Sequence, residues 1–173
     1  MRLRTTLQPD LDTAARHYPQ VLQWLHDYTA WCDKHGDSEL AAYARLAEEV
    51  QRLTGKELAR YNVFEWWEEE GIEVLAFRIA LPDPPAVVEP WLQDDELRAV
   101  VDAVLLDPAS ARLCLPPLLE GFSWHLDGYW HALLKAHCPG YEPRLFNRQR
   151  DAEGRWFEYS AQEICARLQD GST

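Results

Sequence analysis

The densest collection of chemically versatile side chains lies in "WHLDGYWHALLKAHC", where His125, Asp127, His131, His137 and Cys138 fall within fourteen residues. Imidazole, carboxylate and thiol are the ligand types of zinc and its neighbours. A small metal-assisted enzyme built on His125, Asp127, His131 and His137 is therefore one reading. The spacing works against it. Two ligands on one helix face stand three or four residues apart, as in H-E-x-x-H. His131 and His137 are six apart, which turns them about 120° from each other around a helix. His125 and Asp127 can share a strand or loop face, but nothing in the sequence fixes them there. Polar helix ends and one part-buried imidazole explain the run more simply. Cys32 and His35 share a helix face too, yet a site there needs His17 or His26 as well. A core cysteine beside a histidine that complements the helix dipole is the simpler account.

Other catalytic patterns have less support. There is no G-x-S-x-G elbow and no glycine-rich loop to cradle a phosphate. Cys138 falls at a helix C-terminus, where the dipole opposes a thiolate. Carboxylates are plentiful, and nothing singles out an acid/base pair among them. Near the C-terminus Arg144, Arg148, Arg150 and Arg155 interleave with Phe146, Trp156 and Tyr159. That pattern can stack on a nucleic acid. However, Glu142, Asp151, Glu153 and Glu158 nearly cancel the charge, so salt bridges within a hairpin, or to the acidic middle of the chain, are the plainer expectation.

A different chemistry is offered by "YNVFEWWEEEGIE", residues 61–73. Trp66 and Trp67 would point about 100° apart on a helix, so one indole anchors the core and the other is free to lie at a rim. Around them stand Tyr61, Glu65, Glu68, Glu69, Glu70 and Glu73. An aromatic ring ringed by carboxylates suits a cationic partner through stacking, cation–π contact and bidentate ion pairs. Glu68, Glu69 and Glu70 would also crowd a helix C-terminus, where negative charge is disfavoured. Such a local conflict hints at selection for something other than stability.

The charge map points to the same stretch. Net charge is −12. Residues 1–60 carry nine acids and eight bases, and residues 108–173 eight acids and seven bases, each −1. Residues 61–107 carry twelve acids against Arg78 and Arg98, which is −10. Nucleic acid and anionic lipid are poor partners for such a chain. The N-terminus has no apolar signal-peptide core, and no stretch approaches the ~18 apolar residues of a membrane span. Four scattered cysteines without a C-x-x-C pair suit reduced thiols and a cytoplasmic location.

Periodicity and turn residues define the elements that must carry these groups. With 173 residues and 47% hydrophobic content, the chain is expected to form one globular α+β domain over residues 1–173. A helix opening near Pro19 and stopping at Gly36 has Val21, Leu25, Tyr28 and Cys32 on its apolar face, widened by Trp24 and Trp31. A second, ending at Gly55, has Leu40, Tyr43, Ala44, Ala47 and Val50, and the short link makes a helical hairpin. "IEVLAFRIAL", about 72–81, is rich in β-branched residues and reads as a covered strand. Helices are expected next from Asp94-Asp95, with Leu97, Val100, Val101, Val104 and Leu105, and around Trp130, Leu133, Leu134 and His137. Residues 109–121 read as irregular. A β-hairpin spans about 144–159 around "DAEG". Ser160 and Glu163 form a capping box for a last helix. Helix should dominate, with a small, mainly antiparallel sheet made of strand 72–81 and the hairpin.

The expectation for function is a non-enzymatic acidic protein that needs no cofactor and docks a basic protein partner. An immunity-type inhibitor of a cationic bacterial toxin is a concrete example. The docking residues are Tyr61, Glu65, Trp66, Trp67, Glu68, Glu69, Glu70, Glu73, Asp94 and Asp95. Self-association into a homodimer is another way for exposed aromatics to be covered.

Overall fold

The computed structural model describes residues 3–36, 40–63, 71–86, 92–105 and 113–170. Among them are six α-helices: α1 (Leu11–His35), α2 (Leu40–Thr54), α3 (Ile72–Ala80), α4 (Asp94–Leu105), α5 (Asp127–His137) and α6 (Ala161–Gln169). The strands β1 (Gln149–Arg150) and β2 (Trp156–Phe157) pair antiparallel. Helix dominates, as expected, and no described helix is long and apolar enough to cross a membrane. The chain gathers into two compact units. One comprises Asp10–Pro82 and Leu115–Phe122, the other Met1–Pro9, Asp83–Cys114 and Ser123–Thr173.

In the first of these units, α1 begins at an N-cap. The Thr13 N–H donates to Asp10 Oδ1 at 2.9 Å, which holds that carboxyl below its usual range. Leu11, Ala14, Tyr18, Val21, Leu25 and Tyr28 are buried, a stripe that alternates steps of three and four. The helix therefore starts well before Pro19, which lies inside it rather than in its first turn. An internal proline costs roughly 3 kcal/mol and strips the Ala15 carbonyl of its partner. Pro19 is on the exposed side, where water can reach that carbonyl. Burying Leu11 and Tyr18 contributes about 2 kcal/mol each, enough to carry the helix through. Helix α2 turns back onto α1, with the Tyr28 and Tyr43 rings edge-on at 6.4 Å. Its buried residues are Leu46 and Val50. Leu40, expected in the core, is 84% exposed. Gly55, at φ 74°, closes the helix with its N–H on the Gln51 carbonyl.

Residues 72–80 form α3, not a strand. Ile72, Val74, Ala76, Phe77, Ile79 and Ala80 are all buried. A short run that is apolar on every side carries no periodicity to separate a covered strand from a core helix. The β-branched residues tilted the expectation to strand. A helix satisfies its own backbone groups, however, whereas a strand here would need a pairing neighbour. Helix α3 packs chiefly on α1. The returning segment Leu115–Phe122 brings Phe122 parallel to Phe77 at 4.7 Å and against Tyr18 at 5.3 Å. The C-terminus of α3 is held by Lys56. This lysine is only 6% exposed, and its Nζ donates to the Arg78 carbonyl at 3.0 Å and to the Leu81 carbonyl.

In the other unit, α4 packs on α5 and α6. Leu97, Val100, Val101 and Ala103 of α4 meet a core built from Trp130, Leu133 and Leu134 of α5 and Ile164 and Leu168 of α6. Tyr129 Oη donates to the Leu7 carbonyl at 3.3 Å, tying the start of the chain to α5. The expected capping box is formed: Ser160 N–H donates to Glu163 Oε2 at 2.8 Å, and Glu163 N–H to Ser160 Oγ at 3.3 Å. The hairpin is shorter than expected. Pro143–Phe146 is a 3-10 turn, and only two residues pair on each side, Gln149 with Phe157 and Arg150 with Trp156. The stretch expected to be irregular ends in a 3-10 helix, Pro117–Leu126.

Replacing the buried ammonium by an isosteric apolar chain, Lys56→Met, should lower unfolding stability by about 2 kcal/mol, the scale of hydrogen bonds to a charged group. Urea denaturation reads this directly. An unchanged midpoint would show that the carbonyls of α3 do not depend on Lys56.

Candidate functional site

Of the expected docking residues, Glu65, Trp66, Trp67, Glu68, Glu69 and Glu70 lie outside the described residues. Tyr61 and Glu73 belong to the unit that holds α1 to α3, and Asp94 and Asp95 to the other. Glu73 is exposed in the first turn of α3, where its charge complements the helix N-terminus. Its carboxylate also adds to burial in raising the Tyr18 phenol above its ordinary pKa. Tyr61 is drawn to the opposite end of α3. Its Oη donates to the Arg78 carbonyl at 3.3 Å, and Lys56 Nζ lies 5.8 Å from its ring centroid. This ring forms part of the α3 C-terminal cap.

The acids at the start of α4 have local partners. Asp94 accepts from Gln169 Nε2 at 2.7 Å, and Asp95 Oδ1 from the Glu96 N–H at 2.9 Å. Glu96 is buried, accepts the Gln93 N–H at 3.0 Å, and lies 2.9 Å from Arg4 Nε. No sequence pattern signals that last pair, since the two residues are 92 positions apart.

The hairpin arginines find their carboxylates close by in the chain. Arg144 pairs with Glu142, Arg148 with Glu158 at 3.9 Å, and Arg155 with Asp151 at 2.8 Å and Glu153 at 3.2 Å. Arg148 and Arg150 also pack over the Trp156 ring, at 5.1 and 4.4 Å from its centroid. Trp156 is 52% exposed and Trp124 65%.

The histidines of the α5 region serve separate contacts. His131 Nδ1 lies 3.0 Å from Tyr141 Oη, and its ring meets Phe146 edge-on at 4.9 Å. Burial pushes His131 below its ordinary pKa, against the opposing pull of Asp127. The ring is therefore neutral near pH 7, and its Nδ1 shares a hydrogen bond with the Tyr141 hydroxyl. His137 is buried, and its Nε2–H donates to the Pro85 carbonyl at 3.1 Å. His125 is half-buried and Asp127 opens α5. Among the described residues, no three His, Cys, Asp or Glu side chains are grouped to hold a metal ion. Cys138 is buried, and its thiol is pushed up to about 11 by that burial and by the neighbouring Cys165.

A feature not anticipated lies between α1 and α2. Trp24, Asp27, Tyr28 and Trp31 face Ala42, Arg45, Leu46 and Glu49 across a cavity of about 330 Å³. The sequence signal for it was Trp24 and Trp31 two helical turns apart with Tyr28 between them, which reads equally well as a widened core face.

Two measurements check this local chemistry. Because the folded pKa of His131 is depressed below 6.5, the unfolded chain binds that proton first as pH falls. The contribution of the neutral ring is complete above pH 6.5 and shrinks as pH drops below it. The fall in urea midpoint between about pH 8 and about pH 5.5 should be smaller in His131→Gln than in the parent. With thiol reagents near neutral pH, exposed Cys114 should react first and Cys138 last, as peptide mapping of the labelled protein can show.

No family model, no curated protein and no solved structure matches this chain.

Proposed function

We propose that this chain is a non-enzymatic acidic binding protein that docks a basic protein partner, in the manner of an immunity-type inhibitor of a cationic toxin. The observation that supports this most is where the hairpin guanidiniums go. Arg144, Arg148 and Arg155 pair with Glu142, Glu158, Asp151 and Glu153, all within the same stretch of chain. Arg98 pairs with Asp102 at 2.8 Å inside α4. The strongest local sources of positive charge are thus engaged close to home. Residues 61–107 carry twelve acids against two bases, a surplus of negative charge that a cationic surface can meet. Carboxylates at this density accelerate encounter with a cationic surface and select against anionic ones. Residues 65–73 supply the docking acids, and the N-terminus of α4 is a second acidic locus on the other unit. The protein turns over no substrate; affinity and charge complementarity are the whole activity.

The test is titration against a panel of small basic proteins. Raising salt from about 50 to about 300 mM should weaken binding tenfold or more. Changing Glu68, Glu69 and Glu70 together to lysine should abolish it while the thermal midpoint holds. Salt-insensitive binding, or none across the panel, would remove this reading.

A further inference from the structure

We propose that the cavity between α1 and α2 receives a guanidinium group, an arginine side chain of the basic partner. This deepens the function proposed above and rests on it for the source of the arginine.

The cavity is small. At about 330 Å³ it sits at the low end of ligand pockets, large enough for one side chain and too small for a nucleotide-sized cofactor. Two indoles and a phenol form its walls: Trp24 and Trp31 half-buried, Tyr28 buried. Trp24 and Trp31 project from the same side of α1, two turns apart. Flat π faces at the edge of solvent attract cations, and indole does so best. The molecule already makes this contact elsewhere, with Arg150 4.4 Å from the centroid of the Trp156 ring. Trp31 itself stacks on the planar His35 ring at 4.4 Å and 16°.

Charge selects the occupant. Asp27 and Glu49 stand on the lining against one base, Arg45. Glu49 shares its charge with Arg52, along α2. Asp27 is exposed and accepts a 2.8 Å hydrogen bond from Gln23, a neutral amide that brings no opposing charge. A guanidinium laid between the indoles can donate to the remaining lone pairs of Asp27, which a quaternary ammonium cannot do. Arg45 opposes such a ligand, so removing its charge must strengthen binding.

The experiment titrates the full chain with N-acetyl-arginine methylamide and with its norleucine counterpart, tracking the indole N–H resonances by NMR. The arginine probe should shift Trp24 and Trp31 saturably and leave buried Trp130 unmoved, and the norleucine probe should bind at least tenfold more weakly. Trp24→Leu should weaken the arginine probe about fivefold. Asp27→Asn, a near-isosteric change at an exposed position, should weaken it too, whereas Arg45→Gln should tighten it. Urea midpoints of the three variants separate loss of binding from loss of fold. Equal binding of the two probes, no saturable shift, or weaker binding in Arg45→Gln would overturn the proposal. If basic proteins still bind in a salt-dependent way while the arginine probe does not, the cavity assignment falls and the charge-docking function stands. If the probe binds and no basic protein does, a partner protein as the source of the guanidinium is refuted.

Discussion

A single ammonium group holds the centre of one unit together. Lys56 is nearly inaccessible to solvent, and burying an unpaired cation would cost several kcal/mol. Its Nζ lies instead on the Arg78 and Leu81 carbonyls, at the negative end of the α3 dipole, with the Tyr61 ring beside it. These carbonyls have no partner within the helix, so cation and acceptors satisfy each other. The consequence runs outward. Helix α3 can end at Leu81 next to Pro82, and its apolar surface can be buried on nearly every side against α1 and Phe122. The Lys56–Tyr61 stretch is thereby bound to the last turn of α3, while Glu73 marks its first turn.

Several charges among the described residues are settled over short distances. Capping by Asp10 and Ser160, the Arg98–Asp102 pair one turn apart, and the Arg144–Glu142 and Arg155–Asp151 pairs join residues within a few positions, while Arg148 reaches Glu158 across the hairpin. Pairs of this exposed kind add little stability, roughly 0–1 kcal/mol each. Their larger effect is on the long-range field. A base paired beside its own acid contributes little beyond a Debye length, so the long-range field follows the net charge of −12. Among the described ion pairs, Arg4 and Glu96 are distant in sequence; the Glu96 carboxylate is buried, and the pair joins the start of the chain to the first turn of α4.

Aromatic residues divide between two roles. Phe77, Tyr18, Tyr129 and Trp130 lie in the cores of their units, and half-buried Phe122 stacks on Phe77 and tilts against Tyr18. Trp24 and Trp31 stand at a cavity edge, and Trp124 and Trp156 reach solvent. The abundance of rings therefore exceeds what packing uses. In the α5 region, by contrast, the histidines are absorbed by structure. His131 and His137 each complete a hydrogen bond to a neighbouring loop.

Signals written in neighbouring residues were legible from the start: the Ser160–Glu163 capping box, the Gly55 stop, the turn at Asp151–Gly154, the apolar stripe of α1 and the concentration of acid in the middle of the chain. Each depends on hydrogen bonds, periodicity or charge within a few positions, which tertiary packing leaves intact. Tertiary structure alone decided that 72–80 is a helix, that α1 runs through Pro19, that Leu40 faces water, that Arg4 meets Glu96 and that a cavity opens beside Trp24. The reason is common to all five. A largely apolar run covered on most of its surface, a proline within a favourable stripe and residues far apart in the chain have no preferred state until the surfaces that cover them are in place.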